Sequence, residues 1–422
     1  MLAYPEYKKS RIPWIGKIPV NWQISVLKRT TRIKGRIGWQ GLTSEEYRTE
    51  GQYLLVTGTD FINGKIQWHK CWYVSEDRFS EDENIQLKEH DVLVTKDGTI
   101  GKIAFVENMP LNATLNSGVF VTRPFFNSYA PKFMFWALNS DIFPEFIECS
   151  KVGTTIAHLY QKTFEKFTFP LPSVHEQKAI ATYLDKTCAA VDKAIEAKQK
   201  QLEILDALRK SIIHKAVTRG LDDSVELKDS NIDFLGRVPI DWKLTKFRYE
   251  ISIRNGDFIS DKLDENGLHP VVGGNGFMGM TNDFNVDEEV IAIGRVGAYC
   301  GNAHLVTKQS WISDNALIVK SMHDLKYLVY VFIALDLNSE ANKTAQPVIT
   351  GTKIKNIRIA IPTRKEQSQI AYFLDGKLSE LQHIKENIQQ QISTLQQYRK
   401  SLIHECVTGK RRITEDDLQG QL

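Results

Sequence analysis

The sequence predicts an α/β chain of two globular modules, each followed by a long helix, with the two helices pairing as an antiparallel coiled coil of pseudo-two-fold symmetry. Three observations carry this: an internal repeat along the whole chain, short β-branched runs between glycines within each copy, and heptads that close each copy.

The repeat sets the frame. Gly16-Lys-Ile-Pro-Val-Asn-Trp22 returns 220 residues later as Gly236-Arg-Val-Pro-Ile-Asp-Trp242. Val92-Leu-Val-Thr, leading to Gly98, resembles Val290-Ile-Ala-Ile, leading to Gly297, with the two glycines 199 residues apart, and Ala137-Leu-Asn-Ser140 resembles Asp336-Leu-Asn-Ser339, also at an offset of 199. The stretches Leu171-Pro to Leu184-Asp185 and Ile361-Pro to Leu374-Asp375 match at an offset of 190, as do Arg209-Lys-Ser-Ile-Ile-His and Arg399-Lys-Ser-Leu-Ile-His. The offsets fall in order and never cross, which makes this one unit duplicated head to tail. Similarity is strongest at the end of each copy and weakest between residues 30 and 90, where the first copy is longer.

Within a copy, Tyr53 to Thr57, Val92 to Thr95, Ile103 to Val106 and Val119 to Thr122 read as strands, being short apolar runs bounded by Gly, Asn and Asp. Phe133 to Ser140 and Leu325 to Leu337 read as short helices. The long helices carry apolar residues in alternating steps of three and four for about five heptads. Their expected core is Leu184, Val191, Ile195, Leu202 and Leu205 in the first, and Leu374, Leu381, Ile388, Ile392 and Leu395 in the second. A run of ~40 helical residues spans about 60 Å. Parallel pairing would oblige the connection from Arg219 to Asp233 to retrace such a rod, so antiparallel pairing is expected. In the centred register Ile195 meets Ile388 and Lys198 meets Lys385, with Val191 by Ile392, Cys188 by Leu395, Leu202 by Leu381 and Leu205 by Leu378.

Composition narrows the function classes. With 42% hydrophobic and 25% charged residues in 422, the chain is neither a disordered tail nor a membrane protein. No run approaches the ~20 apolar residues of a membrane span, and the start has no apolar signal region, so a cytoplasmic protein without a membrane partner is expected. Cys71, Cys149, Cys188, Cys300 and Cys406 are scattered and odd in number, which suits reduced core residues better than disulfides or a thiolate metal site. A net charge of +3 permits an anionic partner without demanding one, so local basic patches must decide. Lys28 to Arg36 holds five cations in nine residues with no acid, and the equivalent Lys243 to Arg254 holds four cations and one acid. Recurrence at the same place, with Trp39, Trp68 and Trp72 near the first, favours phosphate contact over a merely solvated surface.

Motifs for chemistry fail one by one. Gly274-Asn-Gly-Phe-Met-Gly279 matches a dinucleotide fingerprint by letter, but the turn-like residues after it open no helix, so it reads as a glycine-rich turn. His175-Glu176 lacks the second histidine of a zinc helix, since Ala179 stands there. There is no Pro-Pro dipeptide for an amino-methyltransferase motif and no Gly-Lys followed by Ser or Thr for a phosphate loop. No catalytic or metal site and no cofactor of its own are expected. Glu176-Gln177 and Glu366-Gln367 open the two long helices; identical at exposed helix starts, they suit the docking of two copies of one partner.

Duplicated divergent modules, each followed by a near-identical Pro-x-x-x-Glu-Gln helix, resemble the specificity subunit of type I DNA restriction-modification systems. The resemblance rests on Ile18-Pro-x-x-Trp22 and Val238-Pro-x-x-Trp242, on the paired Leu171 and Ile361 helix starts, and on the Arg-Lys-Ser-(Ile/Leu)-Ile-His ends. It implies two target-recognition domains, each reading one half of a bipartite asymmetric site in double-stranded DNA. It also implies helices that dock two modification subunits carrying S-adenosylmethionine, which a restriction subunit with motor and nuclease functions can join. The domains are then 1–172 and, with its linker, 219–362, the helices 173–218 and 363–410, and the tail 411–422. Candidate DNA-binding residues, from glycine-punctuated polar loops, are Arg36, Gln40, Lys96, Asn116, Gln161, Lys162, Asn275, Arg295, Asn302 and Lys353. The competing readings are the specificity subunit of a fused restriction-methylation enzyme and a coiled-coil scaffold that binds proteins only.

Overall fold

The computed structural model describes residues 2–37, 41–150, 158–259, 263–339 and 347–419. Its contacts divide the chain into two units, residues 1–197 with 391–422, and residues 198–390. Each unit therefore joins one module to the near part of its own long helix and to the far part of the other.

The first unit runs β1 (Tyr7–Lys9), β2 (Lys17–Pro19), β3 (Gln23–Val26), α1 (Leu27–Thr30), β4 (Thr31–Gly35), β5 (Tyr53–Val56), β6 (Phe61–Ile62), β7 (Lys65–Ile66) and β8 (Trp72–Val74). It continues through α2 (Glu76–Ser80), β9 (Val92–Thr95), β10 (Ile103–Phe105), β11 (Ala113–Leu115), β12 (Val119–Pro124), α3 (Pro131–Leu138), α4 (Ile142–Cys149), α5 (Gln161–Phe164) and β13 (Thr168–Leu171) into α6 (Val174–Arg219). A six-stranded sheet has the order β4-β12-β9-β10-β7-β6, a three-stranded sheet the order β11-β5-β8, and β1-β2 and β13-β3 form two-stranded ribbons.

The second unit repeats the plan with β14 (Leu227–Asp229), β15 (Arg237–Pro239), β16 (Lys243–Lys246), α7 (Phe247–Glu250), β17 (Ile251–Asn255), β18 (His269–Gly273), β19 (Gly276–Thr281) and β20 (Val290–Gly294). Then come β21 (Ala303–Val306), β22 (Trp311–Ile312), β23 (Ala316–Ser321), α8 (Leu325–Leu335), α9 (Gly351–Asn356), β24 (Arg358–Ile361) and α10 (Arg364–Val407), with α11 (Glu415–Gln419) in the tail. Its larger sheet is β17-β23-β20-β21, its smaller one β19-β18-β22, and its ribbons are β14-β15 and β16-β24.

Period-two alternation puts each larger sheet between two cores. Val92, Val94, Ile103, Phe105 and Phe120 face the layer of α3, α4 and the long helices, whereas Leu93, Ala104, Val119 and Val121 face the smaller sheet. In the second unit Ile291, Ile293, Leu317 and Val319 take the helical side, and Val290, Ala292, Ala316 and Ile318 the other. Both faces are dry, which is why these strands read as unbroken apolar runs.

Local sequence explains where the helices start. Pro131 opens α3 at a position where a missing N–H costs nothing. Asp324 caps α8, its side chain accepting from the Tyr327 N–H at 3.1 Å. Ser173 and Glu176 form a reciprocal capping box at the head of α6, with the Glu176 N–H donating to Ser173 Oγ and the Ser173 N–H to the Glu176 carboxylate, each at 3.3 Å.

Within each unit the two long helices run antiparallel. In the first, Arg411 lies over the Tyr183 ring and Arg399 pairs with Asp192 at 2.9 Å, so one index falls as the other rises. In the second, Lys385 pairs with Asp206 at 2.6 Å, and Ile213, Ala216 and Val217 share a core with Ile370, Ala371 and Leu374. Leu184, Val191, Leu374, Leu381, Ile388 and Ile392 are buried as expected of a seam, while Ile195, Leu202, Leu205 and Leu395 are half-buried. The register differs from the expected one. Cys188 clusters with Leu402, Ile403 and Cys406 and not with Leu395, and both ion pairs sit about two turns beyond where the centred alignment puts them. The expected Ile195–Ile388 pairing belongs to a register that neither unit adopts. Shifting by one heptad keeps apolar positions facing and gives Arg399 and Lys385 each a carboxylate.

Four of the five cysteines are buried as free thiols, whereas Cys149 is exposed at the end of α4. No helix among the described residues is long and apolar enough to cross a membrane.

Candidate nucleic-acid interface

The residues shared by both copies converge on one joint in each unit. Trp22 is fully buried, and its indole N–H donates to Glu176 at 3.3 Å; a side chain at Gly409, just past α10, would strike Pro19 and Trp22. In the second unit the Trp242 indole donates to Glu366 at 3.1 Å, and Gly220, just past α6, packs against both. Both glycines have positive φ, +74° and +76°, the left-handed turn that ends a helix. Gln177 and Gln367 are 1% exposed. Gln177 accepts from the Ala130 N–H at 2.7 Å, at the head of α3, and donates to the Pro172 carbonyl at 2.8 Å. Gln367 does the same with the Asp324 N–H at the head of α8 and the Pro362 carbonyl, both at 2.9 Å. The expectation that these glutamines dock a partner is therefore corrected: their polar atoms clasp each long helix to its own module. Glu176 and Glu366 are half-buried and spend their carboxylates on the tryptophans. Burial raises the Glu366 carboxyl, against the lowering effect of the Trp242 hydrogen bond.

The second unit has a further polar link with no counterpart among the described residues of the first. His323 Nε2 lies 2.9 Å from Glu250, and its Nδ1 lies 3.0 Å from Gln367 Nε2. Burial would raise the Glu250 carboxyl, but hydrogen bonds from His323, Lys243 and Thr245 overcome it and hold it at about 2.

A cationic cleft opens elsewhere on the second module. Arg254 on β17, Arg295 after β20 and Lys355 on α9 line a polar hollow of about 330 Å³, together with Asn255 and the Thr350-Gly351-Thr352 turn. Backbone bonds fix Arg295: its N–H donates to the Asn315 carbonyl at 2.9 Å, and its carbonyl accepts from the Ile349 N–H at 3.0 Å. Beside it lies the tip of the β18–β19 hairpin. Gly294 allows this approach, because a side chain there would come within 2.6 Å of the Gly274 carbonyl. The Gly274-x-Gly276-x-x-Gly279 string is thus a hairpin tip, as its turn-like composition predicted, and it leaves Phe277 68% exposed beside an exposed Asn275.

The first module places Lys96 in the same backbone frame. Its N–H donates to Gly118 at 2.9 Å, and its carbonyl accepts from Leu159 at 2.8 Å. Lys34 faces Val121 across β4 and β12 as Arg254 faces Ile318 across β17 and β23. Where Leu317 lines the second module's cleft the first has Phe120, whose ring centroid lies 5.0 Å from the Lys96 ammonium and which stacks on Phe164. Burial lowers the Lys96 pKa, with Asp97 opposing.

Of the ten expected DNA-contacting residues, Arg295 and Lys96 thus hold equivalent places. Asn275, Asn302, Lys353, Gln161 and Lys162 are exposed, Gln161 bonding Glu165 at 2.9 Å. Asn116 is half-buried and donates to the Tyr47 hydroxyl at 2.7 Å, beside the partly exposed Trp72. Gln40, like Trp39, lies outside the described residues. Arg36 overturns its expectation. It is 1% exposed, pairs with Glu81 at 2.7 Å and donates to the Leu115 carbonyl at 3.0 Å, so it braces the module from within. Sequence reading held Lys34 and Arg254 only as members of the two equivalent basic runs, Lys28 to Arg36 and Lys243 to Arg254, and missed Lys355. Aligning the copies along β4 and β17 would have paired Lys34 with Arg254.

The family described as the type I restriction modification DNA specificity domain matches residues 37–209 and 239–394, one span per copy. The chain belongs to this specificity family. Among its relatives is the Escherichia coli type I restriction enzyme EcoprrI specificity subunit, 24% identical over 331 residues that cover 75% of this chain and 80% of that one. Among solved structures, a chain from work on complex assembly and conformational transition of the type I restriction-modification system superposes with a TM-score of 0.71 at 15% identity. That superposition covers 92% of this chain and 98% of the other. The HsdS subunit of Thermoanaerobacter tengcongensis gives 0.55 at 15% identity over 93% and 98%. Specificity subunits are the non-catalytic members of type I systems, where they interact with DNA and with the other subunits. Among the described residues no His, Cys, Asp and Glu group could hold a metal ion.

Proposed function

We propose that this specificity subunit reads a bipartite, asymmetric target in double-stranded DNA, one half-site with each module, and docks two modification subunits that carry S-adenosylmethionine. One observation carries this reading: the two modules keep the same strand frame and the same joint to the long helices, yet differ where loops leave the frame. Between β5 and β8 the first module has residues 57–71, including β6 and β7; between the equivalent β18 and β19 the second has only Gly274-Asn275. Identical modules would suit a palindrome, whereas divergent loops on a common frame suit two different half-sites. The test is base-resolved methylation mapping in cells whose subunit carries the residue 1–172 module of a relative. One half of the methylated motif should change and the other persist. Loss of both halves in a complex that still assembles would mean a single composite reading surface.

A further inference from the structure

The cleft of the second module combines features that a base-reading surface does not need. Its lining has three cations and no carboxylate. Arg254 is partly engaged, donating to the Asn285 carbonyl at 2.8 Å and to Asp257 at 3.3 Å. Among the described residues, the side chains of Arg295 and Lys355 have no hydrogen-bond or ion-pair partner. The Arg295 backbone is tied on both sides, which fixes where its guanidinium begins. The first module keeps two of the three cations, Lys96 in the same hydrogen-bond frame and Lys34 at the same strand position, and has Glu165 where Lys355 stands. A feature kept by two modules that read different sequences has to engage what all sequences share, and in duplex DNA that is the sugar-phosphate backbone.

We propose that the cleft formed by Arg254, Arg295 and Lys355 grips one backbone phosphate and sets the second module's position along the duplex without reading bases. The proposal rests on the DNA-reading role argued above and divides that role in two. Phosphate sits in the cleft, and sequence is read beside it, where the hairpin tip presents Asn275 and Phe277. A guanidinium and an ammonium converging on one phosphate form charge-assisted bonds and displace condensed counterions, so the grip is salt-dependent.

The experiment uses the full chain assembled with its modification subunits and compares wild type with Arg295→Ala, Lys355→Ala, their double variant and Arg295→Lys. Binding is measured across a salt series on duplexes with and without the target, and the methylated motif is mapped. The double variant should lose about tenfold in affinity on both duplexes, and its logarithmic salt dependence should become less steep by about 1. The motif should be unchanged, and Arg295→Lys should keep most of the affinity. Neutralising single phosphates as methylphosphonates should find one position in the second half-site that weakens the wild type but not the double variant. Unchanged affinity and salt slope would overturn the proposal, as would an altered second half-motif, which would make the cleft a base reader. Equal sensitivity of both proteins to every methylphosphonate would also overturn it. A wild-type complex with no salt-dependent DNA binding at all would instead remove the DNA-reading role itself.

Discussion

The two modules share strand order, register and joint, yet they solve one position in opposite ways. In the first, the residue after β4 is Arg36, a buried cation held by Glu81, the Leu115 carbonyl and Thr114. In the second, the residue after β17 is Gly256, where even one added carbon would lie 2.1 Å from the Ser313 carbonyl. Where the smaller sheet stands off, a long side chain bridges the gap; where it closes in, nothing larger than hydrogen fits. The frame fixes the strands, and each interior is free to be filled or closed.

The largest effects should come from what the modules have in common. Trp22→Ala and Trp242→Ala each empty a buried site and take an indole donor from a glutamate, and each should cost about 3–5 kcal/mol in chemical denaturation. A loss below about 1 kcal/mol at either would break the equivalence of the two joints. Next comes the position where the modules part. Arg36→Ala strips two buried acceptors of their donor and leaves Glu81 with Arg78 alone, for about 2–3 kcal/mol, and is expected to alter stability before it alters the methylated motif. Base-specific loss at full stability would return Arg36 to the DNA surface.

A smaller effect separates the two clasps. Gln177→Ala and Gln367→Ala should cost about 1–3 kcal/mol each by stripping partners from a helix-start N–H and a proline carbonyl. Gln367→Ala should be the worse, because it also releases His323. If either variant kept its melting temperature but failed to assemble with modification subunits, docking would after all be its role. The smallest effect is confined to acid. The Glu250 carboxyl, ordinarily near 4.5, is held at about 2 in the fold, so its contribution is complete above pH 4.5 and fades as pH falls toward 2. Glu250→Gln should flatten the stability curve across that window. The first module has Thr30 at this place, so substitution there should leave the acid arm unchanged.

Much of this was legible in the sequence, and the exceptions have physical causes. The runs at Val92, Ile103 and Val119 became strands where expected, and Leu325 opened a helix, because apolar periodicity and turn residues agree there. The coiled-coil register was missed because a heptad pattern maps onto itself after seven residues. Only polar neighbours break that degeneracy, and Asp192 with Arg399 and Asp206 with Lys385 do so here. Glu176-Gln177 misled because identity in two copies fits a shared partner and a shared internal clasp equally well. The buried Trp22 and Trp242, two further identities, held the answer. Arg36 misled because period-two alternation puts Arg32, Lys34 and Arg36 on one side, whereas β4 ends at Gly35 and the chain leaving it turns Arg36 inward while Arg32 stays in solvent. The cationic cleft draws on three segments distant in sequence, which no local motif brings together.

The joint at Trp22 also differs from the one at Trp242 in how its segments are connected. At Trp242, the glycine that ends the helix and the Pro-x-x-Trp it packs against belong to one continuous stretch, Gly220 to Trp242. At Trp22 the same contacts are made by segments from opposite ends of the sequence, and the Arg412 N–H donates to the Leu2 carbonyl at 2.9 Å. One seam is sewn and its twin is only buttoned. A gene rearranged to open the chain between residues 221 and 226, with a short bridge from the 412–419 segment to Leu2, would move the stitching from one seam to the other. Every contact described at either joint would survive, and the order of the two modules along the polypeptide would become a matter of genetic bookkeeping with no weight in the fold.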